Sequence, residues 1–244
     1  MHYIRFLAEA HRQIKPKLYT EIGVRHGRSL AVARTRSYGI DPGFQIMVEI
    51  DADVRLFRTT SDEFFQRPDI PTLFEQPTEM AFIDGMHLFE YALRDFINVE
   101  RTCRRHSIVF FDDVFPRVPE EAVRDQRQKA TNAWTGDVWK IVPCLQEYRP
   151  DLTLVLIDTQ PTGLLMACSL NPEEQTLQAN YDEIVEKFSA EMFSSPPPEV
   201  MARKDSIPPR ELIRSGLMQS VASARADFDL KQAVEDLRQA ENVK

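Results

Sequence analysis

Short apolar runs alternate with helix-like segments over most of this chain, and that alternation restricts the folds open to it. The strongest run, Ser107 to Phe111, is apolar after its first residue, as is typical of a central strand buried on both faces. Only Asp158 to Gly163 separate the later runs Thr153 to Ile157 and Leu164 to Cys168, which is too short for a crossover helix and predicts an antiparallel hairpin. The order predicts an α/β fold: a Rossmann-like doubly wound sheet, mostly parallel, with one antiparallel edge strand and a C-terminal helical extension.

The spacing of apolar residues predicts the remaining elements of this sheet. The earlier strands are predicted at Lys17 to Val24, Ser37 to Asp41, Val54 to Thr59 and Met80 to Asp84. Helices are predicted at Met1 to Ile14, Arg28 to Arg34 and Leu88 to Arg104.

The chain divides at a Pro-rich stretch. Residues 1–193 are predicted to form the sheet domain, in which Arg117 to Val142 forms a lid. The run Ser194 to Pro198 contains three prolines, which neither a helix nor a strand tolerates. Residues 194–244 are therefore predicted to be a linker and a helical tail, with a helix over Glu211 to Ala240. This tail packs either on the domain or on a partner chain, and the second case predicts a homo-oligomer.

Composition narrows the class of partner. The formal net charge of the 244 residues is -8 and the pI is near 5.3, which disfavours binding to the nucleic-acid backbone. Cys103, Cys144 and Cys168 form no CxxC pair and are expected to be buried thiols. No run approaches the roughly 20 apolar residues that cross a bilayer, and no secretion signal is visible, so a cytoplasmic protein that does not bind membranes is expected.

A glycine-containing loop follows the first predicted strand and opens a helix, the usual context of a ligand loop. Gly23 allows a tight turn, Gly27 allows a ligand to approach closely, and Ser29 can cap the helix. The spacing G-x-x-x-G differs from the G-x-G-x-x-G of dinucleotide enzymes. Glu21, just before the loop, would repel a pyrophosphate but can bind an ammonium group.

Acidic and hydroxyl residues follow the second and third strands. Asp41 is placed to accept hydrogen bonds from ribose hydroxyls, or it is simply a turn residue before Pro42. Ser61 and Asp62 lie just past the third strand, where they can flank an adenine ring.

Four segments in this order resemble the class I S-adenosylmethionine (SAM)-dependent methyltransferases, in particular the small-molecule O-methyltransferases of methyltransferase family 24. The segments are E-I-G-V-x-x-G-x-S from Glu21, G-I-D-P from Gly39, F-I-D-G-x-H from Phe82 and F-D-D from Phe111. The layout is also similar to metal-dependent sugar O-methyltransferases, to cephalosporin hydroxylase and, more remotely, to catechol-type O-methyltransferases. The resemblance covers about residues 17 to 170 and leaves out the tail.

The resemblance implies SAM as the cofactor, and cofactor contacts for Glu21, Gly23, Asp41 and Asp62. It also implies a metal site, because metal-dependent members bind Mg²⁺ through an Asp after strand four and an acidic pair, or an acid and an amide, after strand five.

The residues themselves point to the same metal. Asp84 follows the fourth predicted strand, and Asp112 with Asp113 follows the fifth, so parallel pairing brings the three carboxylates to one side of the sheet. Crowded carboxylates repel one another unless a cation joins them, and Mg²⁺ prefers such oxygen ligands. In the alternative interpretation Asp112 caps a turn and Asp84 contacts the substrate.

His87, three residues after Asp84, is predicted to be the catalytic base alongside Asp84, because a histidine titrates near neutral pH. In catechol-type enzymes a lysine at this offset resembles the base. His87 is also a possible metal ligand or an ordinary loop residue. Trp134 and Trp139 in the lid either stack on an acceptor or pack the lid onto the domain.

The sequence thus predicts a SAM-dependent methyltransferase that modifies a hydroxyl of a small acceptor, a sugar or a natural-product intermediate, with the help of a divalent metal. Two alternatives stay open: a related enzyme such as a hydroxylase on the same sheet, and an inactive SAM-fold scaffold. The glycine spacing and the lack of a two-His-one-carboxylate pattern disfavour the hydroxylase.

Overall fold

A computed structural model of the chain describes residues 1–128, 133–223 and 229–242. Its seven strands are β1 (Leu18–Ile22), β2 (Arg36–Ile40), β3 (Val54–Phe57), β4 (Thr78–Ile83), β5 (Cys103–Phe111), β6 (Thr153–Ile157) and β7 (Leu164–Cys168). Its α-helices are α1 (Tyr3–Ile14), α2 (Ser61–Phe65), α3 (Ile70–Leu73), α4 (Phe89–Glu100), α5 (Ile141–Tyr148), α6 (Thr176–Ala179), α7 (Tyr181–Phe188), α8 (Pro198–Met201), α9 (Pro209–Ser215), α10 (Leu217–Ala222) and α11 (Leu230–Asn242).

The strands form one sheet in the order β3-β2-β1-β4-β5-β7-β6. The first five strands are parallel, and β7 is antiparallel to both β5 and β6. The predicted fold class and the predicted hairpin are confirmed. The reversed strand lies one place inside the edge, because β7 rather than β6 pairs with β5. The short connection fixes that the two strands are antiparallel but leaves open which of them joins the central strand.

Helices cover both faces of the sheet. Helices α4, α5 and α7 pack their apolar sides on one face. The other face is covered by α1 and by the tail helices, whose Leu212, Leu217 and Met218 are fully buried against it. The segments predicted as 1–193 and 194–244 therefore share one hydrophobic core.

The tail covers this face because the early connections leave it bare. The helix predicted at Arg28 to Arg34 is wrong: the connection holds only a 3-10 turn at Leu30–Val32, and the chain is extended again at Ala33. Residues 41–53, between β2 and β3, contain no helix either. Apolar surface that crossover helices would usually cover is thus left for α1 and the tail.

Two other predicted boundaries differ. Helix α4 stops at Glu100, short of Arg104, because β5 already begins at Cys103. The helix predicted over Glu211 to Ala240 is broken at Gly216, which takes φ +67 at the end of α9. That prediction also falls partly on residues 224–228, and the lid prediction partly on residues 129–132, outside the described residues.

Strands β1, β2, β4 and β5 all end on one side of the sheet, here called the carboxyl edge. The residues that follow them there are Gly23, Asp41, Asp84 and Asp112. Across the described ranges, no helix has the length and apolar character needed to cross a membrane.

Candidate active site

A cavity of about 370 Å³ opens at the carboxyl edge. Its wall combines apolar side chains with polar ones that follow the strands. The lining residues are Ile22, Gly23, Ile40, Asp41, Pro42, Thr60, Ser61, Asp62, Gly85, Met86, Tyr91 and Asp95. Four residues predicted from the sequence to contact the cofactor thus meet in one place: Gly23, Asp41, Ser61 and Asp62. Gly85, which follows Asp84, lines the same cavity.

Gly23 is required by the approach of two strands. It has φ +90, and a Cβ added there would lie 1.8 Å from the carbonyl oxygen of Asp84. The amide of Asp84 donates to the carbonyl of Ile22, so the ends of β1 and β4 are locked together at this point. Gly23 lines the cavity, but a glycine is needed there mainly because the backbone at the end of β4 leaves no room for a Cβ.

Glu21 lies beneath the loop instead of in the cavity. Its side chain is 0% exposed and accepts hydrogen bonds from the hydroxyls of Tyr19, at 2.6 Å, and Ser29, at 2.7 Å. Burial raises the pKa of Glu21 to about 8, against the effect of these two hydrogen bonds. The structure thus places Glu21 against Ser29, whose side chain caps no helix, and the contact of Glu21 with an ammonium group stays a prediction.

Of the predicted cofactor residues Asp41 and Gly27, only Asp41 lines the cavity. Asp41 lines the cavity, and its carboxylate is fixed by the amides of Arg25 and Gly43, at 2.8 and 2.6 Å. Gly27, predicted to admit a ligand, instead has φ +78 and faces the side chain of Ile46 outside the cavity. Its positive φ accounts for the glycine.

Asp62 is oriented by an arginine. Arg94, from α4, donates to both carboxylate oxygens of Asp62 at 2.8 and 2.9 Å in a fork geometry. Helix α2 starts at Ser61, next to this pair, and is capped by Thr60 and Glu63. Ser61 and Asp62 therefore stand at a rigid helix start on the cavity wall.

Asp84, His87 and Asp113 form a compact group beside the cavity. One ligand atom from each lies within 4.8 Å of the others. Nε2 of His87 is 3.1 Å from Oδ1 of Asp84, and Nδ1 is 2.9 Å from Oδ2 of Asp113 and 2.7 Å from the carbonyl oxygen of Trp134. The imidazole is thus surrounded by acceptors, which suits the doubly protonated ring.

Electrostatics agree with that protonation. Burial disfavours the charged ring, but Asp113 and Asp84 outweigh it and raise the pKa of His87 well above its ordinary value. Burial also raises the pKa of Asp84, partly offset by His87. His87 and Asp113 both adopt positive φ, +56 and +64, a costly conformation that the surrounding structure must hold in place.

Asp112 does not belong to this group. It is buried, its Oδ1 accepts from the amide of Asp113 at 2.8 Å, and the Thr162 hydroxyl lies 3.3 Å away. Burial, followed by the neighbouring Asp113 and Asp84, raises its pKa well above the ordinary value. Of the predicted trio, Asp84 and Asp113 lie in this group together with His87, and the metal role of Asp112 stays a prediction.

The two tryptophans of the predicted lid separate. Trp134 stacks on His87, with ring centroids 5.3 Å apart and planes 16° from parallel. Trp139 is buried and packs near Phe193, while Asp137 accepts from the amide of Phe89 at the start of α4. Trp134 therefore belongs to the site, and Trp139 fastens the segment to the domain.

Two residues at this edge were not predicted from the sequence to be part of the site. Asp95, on α4, lines the cavity at 2% exposure. Tyr3 begins α1 above the acids; its ring stacks on Phe82, and burial followed by the charges of Asp112 and Asp84 raises its pKa. Neither residue stands in a recognisable motif, since both reach the site through the packing of helices.

Comparison with known families supports the same interpretation. Residues 20–114 match the model of a family described as a methyltransferase domain. This match runs from β1 to the acids after β5, and it confirms the resemblance and the enzyme class inferred from the sequence. No curated relative matches the chain.

Solved structures share the fold. Cofactor-bound Rv0187 from MTB has a TM-score of 0.51 and 17% identity, with 68% of this chain and 79% of that chain covered. A putative caffeoyl-CoA O-methyltransferase from Staphylococcus aureus has a TM-score of 0.50 and 15% identity, with 68% and 82% covered. At these identities the similarity establishes the fold.

Proposed function

We propose that this chain, whose residues 20–114 match the model of a methyltransferase domain, is a class I SAM-dependent enzyme that transfers a methyl group from SAM to a hydroxyl of a small acceptor, such as a sugar or a natural-product intermediate. One observation carries the proposal: the cavity and the acidic group share a border. Gly85 and Met86 line the cavity and directly follow Asp84 of the acidic group. A cofactor in the cavity would thus have its reactive end beside Asp84, His87 and Asp113.

The cavity supports a nucleoside with a charged tail. Asp41 offers a fixed carboxylate for two ribose hydroxyls. The apolar side chains of Ile40, Pro42 and Met86 provide walls for a flat base. Ser29, held by Glu21 under the glycine loop, would orient the amino-acid end of the cofactor.

The acidic group fits a divalent cation by the chemistry of its donors. Asp84 and Asp113 offer carboxylate oxygens within 4.8 Å of each other, which suits Mg²⁺. His87 lies between them and would have to turn away or bind through a neutral nitrogen. When bound, such a cation would supply a lowered pKa for the acceptor hydroxyl.

His87 is the residue we propose to accept the hydroxyl proton. The sulfonium carbon–sulfur bond breaks as the methyl group joins the acceptor oxygen, which leaves a thioether and releases one proton. In the described geometry the imidazole is surrounded by acceptors, so it has to lose its own proton before it can take this one. Stacking against Trp134 holds the ring towards the acids.

Calorimetry with SAM and with S-adenosylhomocysteine tests the cofactor half of the proposal. Binding to the wild type is expected, and Asp41→Asn should weaken it by roughly tenfold or more, since a charge-assisted hydrogen bond to the ribose is lost. Asp53→Asn is the matched control, because Asp53 is exposed and lies outside the cavity. A wild type that binds neither compound contradicts the proposal.

Transfer itself is tested with methyl-labelled SAM and a panel of hydroxylated sugars and phenols, with Mg²⁺ or with a chelator. Label appearing in an acceptor, and lost in Asp84→Asn, is the expected result. If SAM binds but no member of a broad panel is labelled, the acceptor class is wrong. Labelling of an amine instead would move the proposed chemistry from oxygen to nitrogen.

A further inference from the structure

A second cavity, of about 390 Å³, lies at the opposite end of the strands from the candidate active site. It is lined by Lys15 just before β1 and by Arg34 just before β2, whereas the candidate active site follows the ends of both strands. His11 and Arg12, near the end of α1, complete its basic wall, and no Asp or Glu of the described chain lines it. The proposed reaction uses none of these residues.

His11 is unusual among the residues that line this cavity. It is 7% exposed, and its ring packs edge-on against Tyr19, with ring centroids 4.5 Å apart and planes 76° from parallel. Neither Nδ1 nor Nε2 has a hydrogen-bond partner among the described residues. A buried polar atom without a partner costs free energy, which a phenylalanine in the same contact with Tyr19 would avoid. His11 thus carries a donor that its surroundings leave unused.

No acid compensates the charge of two cations beside His11. Nη1 of Arg34 donates to the carbonyls of Ala31 and Ala33, at 2.7 and 2.9 Å, which holds the guanidinium in place. In the described ranges no Asp or Glu forms an ion pair with Arg34 or with Lys15. Burial, followed by the charge of Arg34, lowers the pKa of His11 to about 4, so the ring is neutral at neutral pH and keeps one N–H to donate.

The end of α1 explains only part of this cluster. Basic residues in the last turn of a helix offset its dipole, which accounts for Arg12 and for Lys15. Arg12 also pairs with Glu9 at 2.8 Å. The dipole accounts neither for Arg34, which lies outside α1, nor for His11, whose nitrogens bind no helix carbonyl. These last two residues require another explanation.

We propose that this cavity, bounded by His11, Lys15 and Arg34, binds the phosphate group of a small soluble compound. Two fixed positive charges and a ring N–H surround one place, which suits an anion with several acceptor oxygens. The volume is within the range of pockets that hold small molecules, so it accommodates more than the phosphate itself. The nitrogens of His11 are buried, so the ring has to tilt towards the cavity, a movement of the side chain alone.

The first test needs no variant and no SAM. Calorimetry measures the binding of inorganic phosphate and of a phosphate monoester, glucose 6-phosphate, at an ionic strength held constant with sodium chloride. Both should bind, and glucose should not. A wild type that binds neither phosphate compound overturns the proposal. So does a single-stranded oligonucleotide that binds more tightly than the monoester, because the ligand would then be a nucleic acid.

A charge variant locates the site. Arg34→Gln should weaken the binding of both phosphate compounds by about tenfold or more, since a charge-assisted hydrogen bond is lost. Arg5→Gln is the matched control, because Arg5 is exposed on α1 and lies outside the cavity. An equal loss of affinity in both variants would mean diffuse attraction to a positive surface, which contradicts a defined site.

His11→Phe separates binding from packing. It keeps an aromatic ring against Tyr19 and removes the two nitrogens without partners, so its Tm without phosphate should at least equal that of the wild type. Its affinity for phosphate should nevertheless fall by about tenfold or more. An unchanged affinity would show that His11 is only a packing residue and would contradict the proposal.

NMR of the wild type gives a second readout that depends on no variant. The ring resonances of His11 should shift on addition of phosphate, and a ring that stays unchanged while phosphate binds contradicts the site. SAM affinity keeps this inference separate from the proposed function. Arg34→Gln should bind SAM as the wild type does, since the two cavities lie at opposite ends of the strands. If the wild type binds phosphate but not SAM, only the proposed function is wrong.

Discussion

Nδ1 of His87 lies 2.9 Å from Oδ2 of Asp113, and both residues hold left-handed backbone conformations to make this contact. Asp84 meets the other ring nitrogen at 3.1 Å. The charged groups of the site therefore pair with one another: the imidazolium of His87 bridges two carboxylates at the place where an acceptor and a cation are proposed to bind. Activity requires this bridge to open, and the effects of pH and of metal should report that opening.

The first prediction concerns how the rate of methyl transfer depends on pH. Because Asp113 and Asp84 raise the pKa of His87 well above its ordinary value, the neutral base becomes available only as the pH rises through that raised pKa. The rate should therefore increase from neutral to alkaline pH. His87→Ala should lower kcat by roughly 10²–10⁴-fold, flatten this rise and leave the affinity for SAM largely unchanged.

Pre-steady-state rates of both forms across the pH range, with an identified acceptor, provide the measurement. His106→Ala is the control, since His106 lies on the half-exposed part of β5 away from the site. A near-normal kcat and an unaltered profile in His87→Ala would show that His87 is a loop residue without a role in proton transfer.

The second prediction concerns the metal. A cation between Asp84 and Asp113 repels an imidazolium, so Mg²⁺ should lower the pKa of His87. NMR titration of the labelled histidine ring, with and without Mg²⁺, measures the change. Asp113→Asn should abolish the Mg²⁺ effect, whereas Asp112→Asn should retain it, because Asp112 is outside the group. If the pKa of His87 is the same with and without Mg²⁺, the proposed metal site between Asp84 and Asp113 is wrong.

Much of this site follows from strand order alone. Parallel strands that each end in an acid place Asp84 and the acids after β5 at one edge, and the offset of three residues brings His87 back to Asp84. The choice between Asp112 and Asp113 does not follow. Neighbouring residues after a strand point in different directions, and the positive φ of Asp113 that turns it towards His87 has no pattern in the sequence.

The fold, like the site, has features that the sequence pattern predicts and features that it does not. Apolar periodicity located the strands and the hairpin, because those elements bury local, regular faces. It did not reveal that the tail covers the face left bare beside β1, or that Asp95 enters the cavity from α4. Those contacts join distant parts of the chain, and each depends on how whole helices dock.

The third prediction concerns stability. Burial raises the pKa of Glu21 to about 8 from an ordinary value near 4.5, so folding favours its neutral form. Its contribution is fully present below pH 4.5 and is lost as the pH rises through about 8. Glu21→Gln keeps the shape without the charge. At pH 9 and without ligand, the free energy of unfolding of this variant should exceed that of the wild type by about 2–4 kcal/mol. At pH 5 the two free energies should be nearly the same.

Urea denaturation at both pH values checks this expectation, and Glu49→Gln, at an exposed position, is the control. A gain equal at pH 5 and pH 9 would show that the carboxyl charge is not the cause.

The last prediction separates two reasons for a glycine. Gly23 and Gly216 both have positive φ, but a Cβ at Gly23 would lie 1.8 Å from the carbonyl oxygen of Asp84, whereas a Cβ at Gly216 would meet nothing within 4 Å. Gly216→Ala should therefore cost only the backbone strain, about 1–2 kcal/mol. Gly23→Ala adds a collision with backbone that cannot move without breaking the β1–β4 junction, so we expect a loss of at least about 3 kcal/mol or failure to fold.

Gly43→Ala completes the series. It has neither constraint, since the nearest atom to an added Cβ is 3.9 Å away, and its stability should be close to that of the wild type. Thermal unfolding of the three variants without ligand provides the comparison. If Gly23→Ala is as stable as Gly216→Ala, the backbone of β4 does not constrain Gly23. Loss of SAM binding in that folded variant would then mean that the cofactor itself requires the space.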